Sequence, residues 1–283
     1  MSATTTTSVK APEVARMPLK WVVQDAMALT WRNLLKYIRV PTLLVFSTIQ
    51  PVMFVILFAY VFGGALGSQL PPTVGYKDYL MAGIFVQTVI FGSTQTGVAL
   101  AEDLTRGMID RFRSLPMARS AVLAGRTTGD TVRNTFVVLL MTGVGYLIGF
   151  RFDGGFFWAV LAILLAVFFG LAFSWISANI GLRVRDVESA QAASFVWVFP
   201  LVFASSAFVP VATMPSWLQG FAEHQPITVV IDAVRYLVLG TEKSHLVGLE
   251  GSMWSHLFPA LLWIAGILLV FVPLAVRKYR RIT

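Results

Sequence analysis

The sequence predicts an all-α integral membrane protein of six transmembrane helices, with an amphipathic interfacial helix before them and short re-entrant outer helices before the last span. Three observations carry this. Of 283 residues, 57% are hydrophobic and only 13% charged, against about 25% charged in an ordinary soluble domain. The charges leave six long gaps, and a helix needs about 20 apolar residues to cross a bilayer, where a central charge costs several kcal/mol. Finally, the basic residues fall on alternate segments. With six spans both termini share one side, and the segments on that side hold 18 of the 22 Lys and Arg. Positive residues mark the cytoplasmic side, so both termini are expected in the cytoplasm.

Taken in order, residues 1–18, with the run Thr4–Thr7 and two prolines, read as a disordered cytoplasmic tail. Residues 19–40 place Val23, Met27, Trp31, Leu34, Leu35 and Ile38 at helical spacing, opposite Gln24, Arg32, Lys36 and Arg39. A helix lying in the inner interface is expected, with Trp31 and Tyr37 at headgroup depth. From 41 to 283 the chain reads as one bundle with spans at about 43–66, 79–101, 132–150, 155–182, 189–210 and 257–276. The second has 23 uncharged residues, Tyr79–Ala101, reaching about 35 Å at 1.5 Å per residue. The third is the shortest, and is extended backward by letting Arg133 snorkel to the interface. Pro200 should kink the fifth, and Arg277, Lys278, Arg280 and Arg281 close the sixth. The apolar run begins too late in the chain for a cleavable signal peptide.

Two connections carry more pattern than a linker needs. In the inner loop, Leu104, Met108, Phe112 and Leu115 form an apolar stripe ending at Pro116, rimmed by Glu102, Asp103, Asp110, Arg106, Arg111 and Arg113. That is the anatomy of a helix seated in a partner's groove; a helix that only anchors the loop to the surface fits the composition equally. Outside, Pro215 and Pro226 begin two short helices dipping into the outer leaflet as a lid. Asp232 and Arg235 pair at i, i+3, and Gly240 is positioned as a C-cap. His224 beside Glu223 is positioned to titrate near neutrality, or to serve as an ordinary interfacial side chain.

Several function classes are excluded by what the chain lacks. There is no cysteine, hence no disulfide framework or thiol catalysis. His224, His245 and His256 are too scattered for metal-ligand spacing, so no metal site is expected. No phosphate-binding glycine loop occurs, since Gly-Lys is found nowhere in the chain. A net charge of +8 suits nucleic acid in a soluble protein, but distributed by side it is a topology signal, and no nucleic-acid partner is expected. No charge lies deep in a span, which speaks against an ion-coupled secondary carrier and against a membrane-embedded lipid transferase. Candidate path groups are therefore neutral: Gln87, Thr94 and Gln95 in the second span, and Ser194, Ser205 and Ser206 in the fifth. The alternative for each is a bond to its own helix. Gly145 with Gly149, and Gly170 with Ser174 and Ala178, are spaced for close helix contact.

The order of "WRNLLKYIRVP", "FSTIQPVMFVILFAYVFGG", "EDLTRGMIDRFRSLPM" and "PSWLQGFAEHQPITVVIDAVRYLVLG" resembles the permease subunits of ABC-2 type exporters, in the daunorubicin/doxorubicin-resistance branch. The resemblance spans about Trp21 to Arg281. It implies a non-enzymatic membrane subunit whose Glu102–Pro116 helix docks on a separate cytoplasmic ABC ATPase. ATP and magnesium would be held by that partner and no cofactor by this chain. A second permease copy would complete the exporter, in contact with membrane lipid. The cargo implied is a hydrophobic or amphiphilic compound, an antibiotic or envelope lipid, with polysaccharide or glycolipid export as the alternative on the same fold. Many members carry a more glutamate-rich stretch than "EDLTRG" and an Asn where Gln225 stands.

Overall fold

The computed structural model describes residues 19–108, 119–184 and 186–281, and all its regular elements are helical. The tail 1–18 and the loop residues Asp110, Arg111, Phe112 and Arg113 lie outside the described residues. Helix α1 is Leu19–Arg39. Helix α2, Thr42–Ile56, runs into one wider π-helical turn, Leu57–Val61, and the short α3, Gly63–Gly67. Then follow α4, Tyr76–Thr105; α5, Arg119–Leu147; α6, Phe156–Gly181; and α7, Val187–Phe203. The outer α8, Ser216–His224, and α9, Pro226–Leu246, precede α10, Met253–Arg281. Among the described residues, Leu44–Val61, α4, α6 and α10 are long and apolar enough to cross a membrane, and α7 is a shorter apolar helix.

Helix α4 is the centre of the bundle: 83% of its apolar stretch is buried inside the chain, against 22% for α10 and 17% for Leu44–Val61. Its small residues let α6 approach closely. A Cβ on Gly97 would lie 2.5 Å from the Ser177 carbonyl oxygen, and one on Gly181 would collide with the Gly97 carbonyl. The row Gly170, Ser174, Ala178 belongs to the same contact, with Gly170 against Val89. Backbone-to-backbone approach of this kind replaces the hydrophobic driving force that lipid removes. The main core runs from α4 to α5, α6, α7, α9 and α10. A second cluster at the inner end gathers Leu29, Leu100, Leu123, Trp175 and Tyr279.

Four expectations are corrected. Helix α7 ends at Phe203, short of the expected 210, so Ser205 and Ser206 lie beyond the helix. Helix α5 is described over Arg119–Leu147, and the expected span 132–150 falls on its second half. Arg133 does not snorkel: it is 5% exposed and donates from Nη2 to the Gly92 carbonyl of α4 at 2.6 Å. Gly149 makes no close helix contact; with φ 99° it turns the chain after α5, in a region L side chains rarely enter. On α1, Val23, Met27, Trp31 and Ile38 are exposed as the amphipathic reading requires, but Tyr37 turns inward to Asp130 rather than to a headgroup layer.

Candidate functional site

Three polar constellations lie along the bundle: at the end that carries α1, named inner after the expected topology, in the middle, and at the opposite, outer end. At the inner end, Glu102 is held between Arg106, at 2.6 Å, and Lys36 of α1, at 3.6 Å. Helix α4 stops at Thr105, because Gly107 adopts φ 64°, a conformation open to glycine at no steric cost. The expected single helix from Glu102 to Pro116 is therefore interrupted. Its stripe also points elsewhere than expected, since Leu104 and Met108 pack on the inner core cluster. The charged rim of Glu102, Asp103 and Arg106 is what this end presents.

Beneath it, α1, α4 and α5 enclose a charged cluster that sequence reasoning missed. Asp130 is 1% exposed and accepts from Thr96 at 2.7 Å and from the Tyr37 hydroxyl at 3.3 Å, with Arg126 Nε at 3.5 Å. Burial pushes the Tyr37 hydroxyl above its usual range, so it stays a donor. Asn33 and Thr30 of α1 both donate to the Gly125 carbonyl, tying α1 to α5. The legible signal was the spacing of Arg126, Asp130, Arg133 and Asn134 at i, i+4, i+7 and i+8, a polar stripe on one helical face.

In the middle, a cavity of about 70 Å³ separates α2 from α4 and α5, lined by Ser47, Gln50, Gln87, Thr88, Gln95 and Arg133 among others. Gln87 and Gln95 thus line one cavity, together with Gln50 and Arg133. Thr94 and Ser194 are not part of it: Thr94 donates to the Phe91 carbonyl and Ser194 to Ala190, each on its own helix. Ser205 likewise donates to Val202.

At the outer end, Arg235 is 1% exposed and ties α9 to α4 and to the turn after α7. Its Nη1 reaches Asp232 at 2.7 Å, its Nη2 donates to the Ser206 carbonyl at 2.6 Å, and its guanidinium lies 3.6 Å from the Tyr79 ring centroid. Ser206 Oγ donates to Asp232 at 2.8 Å. Ser206 is therefore a structural partner of the expected Asp232–Arg235 pair. Pro226 occupies the first turn of α9, where its missing N–H costs nothing. The preceding Gln225 donates to the carbonyls of Leu201, at 3.1 Å, and Ala204, at 2.5 Å, satisfying the frayed end of α7. Gln225→Leu is expected to lower stability by about 1–3 kcal/mol, since it leaves buried carbonyls without donors; a thermal midpoint unchanged in detergent would refute that role. His224 is exposed and bonded to Gly220, outside all three constellations.

The family model described as ABC-2 type transporter matches residues 24–239. The chain belongs to that family of membrane-embedded transporters. Among its relatives is the daunorubicin resistance ABC transporter permease protein DrrB1 of Streptomyces coeruleorubidus, 36% identical over 252 residues, covering 88% of this chain and 84% of that one. The probable doxorubicin resistance ABC transporter permease protein DrrC of Mycobacterium tuberculosis (strain ATCC 25618 / H37Rv) is 27% identical over 260 residues, 92% of this chain and 89% of that one. The inner membrane transport permease YadH of Escherichia coli (strain K12) is 23% identical over 205 residues, 71% of this chain and 78% of that one.

Proposed function

We propose that this chain is the permease subunit of an ATP-driven exporter that moves a hydrophobic or amphiphilic compound, a drug or an envelope lipid, out of the cell. The observation that carries the reading is the 36% identity to a drug-resistance permease over 88% of the chain. In this reading magnesium-ATP is held by a separate ABC ATPase and none by this chain, which fits a sequence without a Gly-Lys phosphate loop. A second permease copy completes the assembly. The topology we propose is six spans in a bacterial plasma membrane with both termini in the cytoplasm, a reading supported by the charge gaps and by the side preference of Lys and Arg.

In this reading, closure of the ATPase pair pushes on the rim Glu102, Asp103 and Arg106 and on the loop through Asp110, Arg111, Phe112 and Arg113. The push passes to α1 through Lys36 and to α5 through the Arg126–Asp130 cluster. Two arrangements of the bundle then alternate between inward and outward opening, with Gln87 and Gln95 on the path and α8 and α9 as the outer lid. Co-expression with an ATPase encoded beside it tests the docking. Phe112→Asp is expected to reduce co-purification at least about tenfold, as a charge placed in an apolar contact does. Undiminished assembly would overturn the assignment of this loop. Transport abolished by an uncoupler yet insensitive to ATP depletion would overturn the exporter reading in favour of a secondary carrier.

A further inference from the structure

The cavity behind α2 is a polar site with unmet bonding capacity. Gln87 and Thr88 are 2% and 7% exposed, and Arg133 is 5% exposed. All three line the cavity, and Gln87 Oε1, Thr88 Oγ1 and Arg133 Nε have no hydrogen-bond partner. Buried polar atoms are almost always satisfied by protein, water or ligand. Three unsatisfied atoms on the wall of one cavity therefore ask for an occupant.

The charge balance narrows what that occupant is. Arg133 donates to the Tyr37 hydroxyl, the Gly92 carbonyl and Asn134 Oδ1, all neutral atoms. The neighbouring buried carboxylate, Asp130, is ion-paired with Arg126 instead. Arg126 also faces Asp103 and Glu102, so the guanidinium left with neutral partners is that of Arg133, and water in the cavity satisfies its donor without matching the charge. An oxyanion matches both, because its oxygens accept from Arg133 Nε and the Thr88 hydroxyl. Gln87 Oε1 requires the opposite, a donor. A head group carrying a hydroxyl beside its acidic group supplies one.

Depth decides how such an anion arrives. Gln87 to Gln95 covers about 12 Å of α4 inside the uncharged stretch Tyr79–Ala101, far from either aqueous face. About 70 Å³ accommodates a head group and no tail, while Phe46, Ile49 and Met53, on the same helix α2 that contributes Ser47 and Gln50 to the cavity, are exposed as apolar surface for a chain. We propose that this cavity binds the acidic, hydroxyl-bearing head group of an amphiphile whose tail lies along α2. The proposal deepens the export reading, on which it rests for the fate of the ligand but not for its binding.

The full chain, purified in dodecylmaltoside, tests this with three probes: phosphatidylglycerol, phosphatidylcholine of the same acyl chains, and inorganic phosphate. Phosphatidylglycerol is expected to raise the thermal midpoint by about 3 °C more than phosphatidylcholine at ten times its dissociation constant, with phosphate inert. Gln87→Leu changes no charge and is expected to weaken phosphatidylglycerol about tenfold while leaving phosphatidylcholine unaffected. Arg133→Gln should abolish the preference; because Arg133 also ties α4 to α5, Gln87→Leu and Gln95→Leu carry the test if that variant does not fold. Equal shifts from the two lipids, a preference untouched in Gln87→Leu, or a shift from phosphate alone would each overturn the proposal. Lost lipid preference with intact ATPase co-purification would sink the ligand class and leave the export reading standing.

Discussion

Replacing Arg235 by leucine is expected to cost about 3–5 kcal/mol, because it leaves the Asp232 carboxylate in the protein without its counter-charge. The loss extends beyond one ion pair. The same guanidinium holds the Ser206 carbonyl and covers the Tyr79 ring, so α4, the turn after α7 and α9 all lose a shared partner. The paired variant Arg235→Leu with Asp232→Leu removes both charges and is expected to recover most of the stability, since two apolar side chains of similar volume replace an expensive buried pair. Thermal midpoints of the three proteins in one detergent check this. A double variant as unstable as the single one would show that the hydrogen bonds to Ser206, and not the stranded charge, dominate.

Gly181→Val is the second large effect, expected to be about 3 kcal/mol and enough to lower the yield of monodisperse protein sharply. An added Cβ at Gly181 meets the backbone of Gly97, which has no rotamer to move aside. Helices α4 and α6 must then separate along the most buried contact of the bundle, which also carries Gly170, Ser174 and Ala178. Gly143→Ala is the control. Nothing lies within 4 Å of its added methyl, and alanine favours the helix by up to about 1 kcal/mol, so no loss is expected. Size-exclusion profiles of fluorescent fusions read both variants, and a Gly181→Val protein as stable as the parent would refute the close approach.

Much of this architecture is legible in residue order because bilayer physics is severe. Charge gaps locate α2, α4, α6 and α10 to within a few residues, and the Asp232–Arg235 spacing foretells the outer ion pair. The places where reading failed share one physical cause: whether a polar residue faces lipid, water or protein is not encoded in its own segment. Arg133 sits where a snorkelling arginine would, yet a carbonyl on α4 and a tyrosine on α1 hold it inside. Leu104 and Met108 make an exposed-looking stripe, yet they pack against a cluster that draws members from far along the chain, Trp175 and Tyr279 among them. The sequence puts the end of the fifth span near 210 because the uncharged stretch runs on past Phe203 to Ala222; the helix ends sooner, where Gln225 of a different element donates to the carbonyls of Leu201 and Ala204. Of the six neutral path candidates, the two glutamines meet at the cavity, whereas Thr94, Ser194 and Ser205 spend their hydroxyls on their own helices.

The cavity has three walls of unequal kind. Those from α4 and α5 belong to the most deeply packed part of the molecule, whereas only 17% of the Leu44–Val61 stretch is buried, and a proline and a wider turn interrupt its ladder at Pro51 and Leu57–Val61. A chamber with two immovable sides and one loosely hung door opens sideways, into the plane of the lipid, without unpicking the core that holds its polar floor. Access to Gln87 and Arg133 is then set by a single hinge, and amides of α2 should exchange with solvent deuterium well before those of α4.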